Sequence, residues 1–175
     1  MWRSAVAAIA ALVLAPVPAL AACTSALCKD ASAAVQDFIA AQAVSYAPEE
    51  YQGWMRFTAL TQAPTFPVIT IVKTTVVDEV TCKSDSCSAR VVYDSIGTAV
   101  PFEVFTPKRE RIVVTYSLAR NAGRMLITSP LPAKFVSVAS AVDRPRNVVS
   151  GSPVFLRIYE ALSRSVEAAA NAPNS

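Results

Sequence analysis

Apolar residues recur with a helical period on both sides of a strand-rich middle. In residues 30–44 the period predicts an amphipathic α-helix, with Val35, Phe38, Ile39 and Gln42 on its inner stripe. Pro48 suits the first turn of a second, shorter helix, whose apolar side would carry Tyr51, Trp54 and Met55. Ser152 and Pro153 predict the start of a terminal helix, with one stripe formed by Phe155, Tyr159, Leu162 and Val166.

The middle of the chain has the composition and alternation of β-strands. The segments are residues 68–82, 87–96, 102–106, 111–118 and 124–129, with 135–142 as a further strand or an extended edge. Residues 83–86 predict a four-residue hairpin loop, and Asn121-Ala122-Gly123 predicts a three-residue turn that places Leu118 opposite Leu126. This order predicts an α+β fold, with N-terminal helices packed on an antiparallel sheet and a C-terminal helix. We expect one domain over residues 22–170 and a frayed tail at 171–175.

Residues 1–22 have the organisation of a secretory signal peptide. Arg3 gives a positive start, residues 5–15 form an apolar run too short to span a bilayer, and small residues follow. Cleavage after Ala21 predicts a soluble exported protein, periplasmic or secreted. The stretch Leu20-Ala21-Ala22-Cys23 also resembles a bacterial lipobox, so acylation at Cys23 would instead give a lipid-anchored protein. The prolines at 16 and 18 separate the apolar run from the cut and favour the soluble form.

The cysteines form two pairs of equal spacing, which an exported protein is expected to oxidise. The hairpin places Cys82 opposite Cys87, and opposed strand residues are close enough for a disulfide. Cys23 and Cys28 then pair by elimination and restrain the mature N-terminus. The spacing is not the CxxC of thioredoxin-like enzymes, so both disulfides are expected to be structural.

Charge and composition exclude several classes of function. Only Arg3 of the 16 basic residues lies in the signal, so the remaining basic residues of the mature chain nearly balance its 13 acidic residues. That balance predicts no nucleic-acid partner, and membrane contact only through a lipid on Cys23. The densest basic run, residues 108–111, precedes an apolar strand, where charges commonly guard a sheet edge. The chain has no histidine, which excludes histidine-dependent triads and metal sites, and we expect no cofactor and no metal.

One hairpin resembles a known superfamily. The stretch Val113-Val114-Thr115-Tyr116-Ser117-Leu118-Ala119-Arg120-Asn121-Ala122-Gly123-Arg124-Met125-Leu126-Ile127 is similar to the last hairpin of the nuclear transport factor two-like superfamily, which includes ketosteroid isomerase and scytalone dehydratase. That hairpin often has a Tyr-x-Leu strand, a Gly-Arg turn and then Trp, where this chain has Met125. The resemblance implies a cone-like fold whose curved sheet encloses an apolar pocket. Enzymes of the superfamily usually carry Asp, His or Tyr in that pocket.

Asp78 is the candidate catalytic residue. In the hairpin register set by Cys82 and Cys87, Asp78 faces Val91 and Val76 faces Tyr93, which places Asp78 on the apolar face. A carboxylate there would have a raised pKa and could act as a general base. The alternative is a β-bulge that turns Asp78 outward, or a place at the solvated mouth of the cone. Asp94 and Glu103 are weaker candidates.

Two tyrosines complete the predicted pocket. Tyr93 and Tyr116, together with Asp78, are candidate ligand-binding residues. The two tyrosine hydroxyls could donate to a developing oxyanion. We expect Tyr116, Leu118, Val76 and Val91 to line one apolar face under the first helix.

Three functions are therefore considered. The first is a non-catalytic exported domain that binds a small apolar ligand or an envelope component, and the second is a periplasmic inhibitor or immunity-type protein. The third is an isomerase or dehydratase that uses Asp78.

Overall fold

The computed structural model describes residues 25–45, 52–62, 64–100, 104–130, 133–148 and 153–173, without the side chains of 144–148 and Phe155. The predicted signal peptide, Cys23, the Pro48 helix start, Glu103 and the Ser152 cap lie outside these residues. The elements are α1 Ala26–Val44, α2 Gln52–Met55, β1 Ile69–Lys83, β2 Ser86–Ala99, β3 Phe105–Asn121, β4 Arg124–Ser129, β5 Phe135–Ser137, α3 Val138–Val148 and α4 Pro153–Asn171.

The strands form one curled, mostly antiparallel sheet in the order β4-β3-β2-β1-β5, and the fold is α+β as predicted. Among the strands of the described residues, only β5 runs parallel to its neighbour, β1. We call the face that packs against α1 and α2 the inner face; it carries Tyr93 and Tyr116. The opposite, outer face carries Ile71 and Ile96 and packs against α3 and α4 at one end of the sheet.

The helix α1 begins four residues before its predicted start. The Ser25 hydroxyl accepts a hydrogen bond from the backbone N–H of Cys28 at 3.2 Å and caps the first turn, so the helix extends back to Ala26. The predicted inner stripe is confirmed, with Val35, Phe38 and Gln42 buried. Ile39 is partly buried against the same cluster.

The hairpin of β1 and β2 confirms the predicted opposition of Cys82 and Cys87. Their Cα atoms are 4.0 Å apart and their sulfurs form a disulfide. Lys83 pairs with Ser86, so the loop has two residues rather than the predicted four, and Ser84 takes a positive φ of 53°. Cys28 is also half of a disulfide.

A β-bulge in β1 makes the predicted register wrong beyond Val80. Val80 faces Ala89 as predicted, but the ladder then continues with Val77 opposite Val91, which leaves Asp78 unpaired. The inserted residue reverses the alternation before it, because side chains in a strand change face at every position. Val76 therefore lies on the outer face, 56% exposed, and does not line the pocket.

The predicted break between two strands at Pro107 is also wrong, because residues 105–121 form the single strand β3. Within the described residues β4 pairs only with 117–121, so β3 is an edge strand around Pro107. A proline is tolerated at such an edge because its missing N–H need not serve a second neighbour. The alternation predicted for 111–118 is confirmed, since Tyr116 and Leu118 are buried on the inner face.

Two further boundaries differ from prediction. Ala122 and Gly123 form a two-residue turn with φ values of 48° and 80°, the positive values that tight hairpins need. The shorter turn moves the pairing by one residue, so Leu118 faces Ile127 rather than Leu126. Of residues 135–142, only 135–137 form a strand, and the chain then enters α3.

Candidate functional site

The fold brings Tyr93 and Tyr116 together beneath α1. Both side chains are fully buried, and their hydroxyl oxygens are 3.0 Å apart, a hydrogen bond in which either can donate. Burial raises the pKa of Tyr116 to about 12, although its hydrogen bond with Tyr93 acts in the opposite direction. Burial raises the pKa of Tyr93 still further. Both hydroxyls are therefore protonated near neutral pH, and one donates to the other.

Aromatic side chains of the protein itself fill the space around this pair. The Phe38 ring meets Tyr116 and Trp54 edge-on, with centroids 5.5 Å and 5.9 Å away. Phe135 stacks on Tyr93 with ring centroids 3.9 Å apart. Phe38 and Trp54 are fully buried like the tyrosines. The inner face around the two hydroxyls is therefore packed core.

Asp78 does not join the tyrosines. The bulge turns it to the outer face, where its carboxylate forms an ion pair with Arg90 at 2.9 Å. Both side chains are close to half exposed. Asp94 is also on the outer face and accepts a hydrogen bond from the Thr74 hydroxyl. The apolar environment expected around Asp78 is therefore not present.

A buried lysine that the sequence pattern does not predict lies beside Trp54. Lys134 is 1% exposed, and its ammonium nitrogen lies 5.9 Å from the centroid of the Trp54 ring. Burial lowers the pKa of Lys134 to about 7. Nearby, the Gln42 amide donates to the carbonyl of Ala133 at 2.8 Å. Within the described residues the Gln42 Oε1 has no hydrogen-bond partner.

No local signal marks Lys134 as buried, because a lysine just before a strand is normally solvated. Its placement follows from β5, which runs parallel to β1. The amide of Thr70 donates to the carbonyl of Lys134 at 2.8 Å and holds this backbone against the sheet. The side chain must then extend towards the packed aromatic residues.

A polar groove of about 570 Å³ lies on the outer face, beside the C-terminal end of α4. It is lined by Lys73, Thr74, Asp94, Ser95, Ile96, Arg109, Glu110 and Arg111. Lys73 donates to the carbonyl of Ala170, and Arg109 donates to those of Ala169 and Ala172. These contacts satisfy carbonyls that the last helical turn leaves open. The groove therefore lies where the helix ends and the open part of the sheet begins.

Two general features complete the description of the site. Among the described residues, no group of three or more acidic or cysteine side chains could hold a metal ion. None of the helices in the described ranges combines the length and the apolar character needed to cross a membrane.

Comparison with known proteins gives no family model that matches the chain, and no curated protein or solved structure with significant similarity to it.

Proposed function

We propose that the protein is an exported, non-catalytic domain that binds an envelope protein through its outer surface. The observation that carries the proposal is the packing of the inner face. In a cone-like fold a substrate or apolar ligand would occupy the space that Phe38, Trp54, Tyr93 and Tyr116 fill here. The resemblance to the nuclear transport factor two-like superfamily remains part of this proposal, and concerns its fold alone.

The outer face has the features of a contact surface. Val76, Val92 and Val113 lie opposite one another on β1, β2 and β3 and form a row across the sheet. Val76 is 56% exposed and Val113 is 46% exposed, while Val92 between them is 6% exposed. Charged and hydroxyl side chains border the row, among them Arg90, Asp94 and Thr115. An apolar strip within a polar border is typical of protein contact sites.

Export is supported by the organisation of residues 1–22 and by the disulfide between Cys82 and Cys87. Disulfides persist in the periplasm and outside the cell, and are rare in the cytosol. A periplasmic inhibitor or immunity-type protein is one form that this proposal can take, because it would also act through its surface.

The isomerase alternative needs Asp78 as a base next to substrate. Its exposed ion pair with Arg90 supports a surface role instead. We expect the purified protein to have no isomerase or dehydratase activity for Asp78→Asn to remove, because Asp78 lies at the surface beside Arg90. Loss of an isomerase or dehydratase activity of the purified protein in this variant would contradict the proposal.

Photocrosslinking in the native host tests the proposed surface. A photoreactive residue replaces Val113 on the outer face or, as a matched control, Val44 at the end of α1; the two valines are 46% and 47% exposed. We expect discrete protein adducts from position 113 and few from position 44. Equal adducts at both positions, or none at position 113, would refute an outer-face contact. An apolar small molecule that copurifies in native mass spectrometry would favour ligand binding instead.

A further inference from the structure

One edge of the sheet is open over most of β3. β2 pairs with β3 from Phe105 to Ala119, apart from an irregularity that leaves Lys108 and Arg109 without partners in the register. On the other side the described residues of β4 reach only 117–121. Residues 105–116 therefore present backbone N–H and C=O groups without a strand partner in the described part of the chain. Pro107 interrupts this edge near its start. The segment available for pairing is residues 108–116.

The side chains along this edge are ordered by charge and by face. On the outer face Arg109 and Arg111 are followed by Val113, and all three alternate with inner-face positions. Within the described residues Arg111 has no ion pair, and it lines the polar groove beside α4. The edge thus offers the Arg111 guanidinium, beside an Arg109 guanidinium that donates to carbonyls at the end of α4, and then an exposed apolar residue. Its inner-face positions 112 and 114 are partly buried isoleucine and valine.

We propose that an acidic extended segment of the envelope partner adds to this edge as an antiparallel strand. Its acidic side chains would lie beside Arg109 and Arg111, and an apolar side chain would lie beside Val113. The backbone would supply affinity, and alternate side chains would supply specificity, as in other cases of strand addition. This inference rests on the proposed function and names the chemistry of the partner.

Charge complementarity favours an acidic strand over a second copy of this chain. Two copies paired antiparallel about Val113 would place Arg111 opposite Thr115, which leaves the guanidinium without a carboxylate. Pairing about Glu110 would place Arg109 opposite Arg111, and like charges directly opposite each other are destabilising. An acidic strand places a carboxylate opposite Arg111 and an apolar side chain opposite Val113 in one register.

The same charges explain why the edge does not invite indiscriminate pairing. Charged side chains and a proline are common protections of exposed edges, and residues 107–111 provide both. Cationic or uncharged strands gain little there, because Arg111 would lose hydration without an ion pair. The edge is therefore selective for partners of negative charge.

Binding of synthetic peptides to the purified mature protein tests the inference. The matched probe is the capped peptide Thr-Val-Val-Thr-Glu-Lys-Glu, whose residues in antiparallel pairing lie opposite positions 115 to 109. The control is Thr-Val-Val-Thr-Lys-Glu-Lys, which reverses only the charges. We expect the first peptide to shift the backbone amide resonances of residues 108–116, and the control peptide to leave them unchanged.

Two perturbations separate strand addition from simple charge attraction. N-methylation at alternate peptide positions should abolish binding in one of the two possible patterns only, because alternate N–H groups point towards the protein. Arg111→Glu should lower the affinity for the acidic peptide by at least about fivefold, since an ion pair becomes a repulsion. The same variant should raise the affinity for the basic peptide. Arg164→Glu, on the exposed side of α4, changes the net charge of the protein by the same amount. It should change the affinity for neither peptide.

Several results would overturn the inference. The first two are binding that tolerates both N-methylation patterns equally, and equal effects of the two arginine variants on binding. The third is an acidic peptide that shifts no amide resonances. The fourth is a protein that sediments as a dimer and that Arg111→Glu dissociates. The last result would assign the edge to a second copy. If the peptide fails while photoadducts at position 113 persist, strand addition is refuted and the proposed function stands. If the peptide binds but those adducts are absent, the proposed function is refuted.

Discussion

A double-mutant cycle on Tyr93 and Tyr116 tests whether the buried pair is structural. Tyr93→Phe removes one hydroxyl and leaves the other buried without its partner, and Tyr116→Phe does the reverse. A buried polar group left unsatisfied costs about 1–3 kcal/mol of unfolding free energy, so each single variant should lose that amount. The double variant removes both hydroxyls and keeps the ring contacts with Phe38 and Phe135. It should therefore be about as stable as wild type, or less destabilised than either single variant.

The assay is urea unfolding of the four proteins at neutral pH, followed by circular dichroism. A change in midpoint without a change in slope reports stability alone. Tyr159→Phe is the matched control, because Tyr159 is buried on α4 and its hydroxyl lies 3.5 Å from the carbonyl of Ala141. The loss of unfolding free energy in Tyr159→Phe should add to the loss in Tyr93→Phe or in Tyr116→Phe, as expected for separate sites. Additive losses in the tyrosine pair itself would mean that the two hydroxyls serve other partners, and would refute the structural role.

Three further results are expected. Phe38→Ala should cost ~3–5 kcal/mol in urea unfolding, because the side chain is fully buried; a variant as stable as wild type would contradict the packing of α1. The pKa of Lys134 is lowered to about 7 by burial, so the unfolded state binds more protons above that pH and wild-type stability rises with pH. Lys134→Met should remove about 3 kcal/mol of this rise in unfolding free energy between about pH 6 and pH 9. Wild type and variant whose unfolding free energies change in parallel with pH would refute the lowered pKa. Replacing Cys82 and Cys87 by serine should cost ~2 kcal/mol, because the closed loop is short; a cost near that of Phe38→Ala would show that the disulfide does more than restrain the unfolded chain.

The parts of the fold that sequence predicts are those in which burial repeats at a fixed spacing. Tyr116 and Leu118 were placed on the inner face because alternation in β3 leaves no other arrangement for them. The stripe of α1 was found for the same reason, with a period of 3.6 in place of 2. Cys82 and Cys87 were paired because a hairpin of either loop length keeps them opposite each other.

The parts that were missed depend on contacts distant in sequence. The bulge at Asp78 has no local signature, because its energetic benefit is curvature of the whole sheet. Pro107 signals a break locally but is tolerated because the other side of β3 is an edge. Tyr93 and Tyr116 are not opposite each other in the sheet. Tyr93 faces Ile112, which is four residues before Tyr116 on β3, so the contact between the two hydroxyls depends on sheet twist and side-chain direction. The burial of Lys134 depends on a parallel pairing of only three residues.

The bulge also means that β1 contains one residue more than its pairing requires. If Asp78 were deleted, Val77 would still face Val91 and Glu79 would still face Arg90, because the ladder already passes over Asp78. Inner and outer positions would then alternate without interruption from Thr74 to Cys82. The shortened chain would keep every other partner in this stretch, but its hairpin would be flatter and would curl less closely around α1. At this position the length of the chain, rather than the identity of the side chain, determines the shape of the protein.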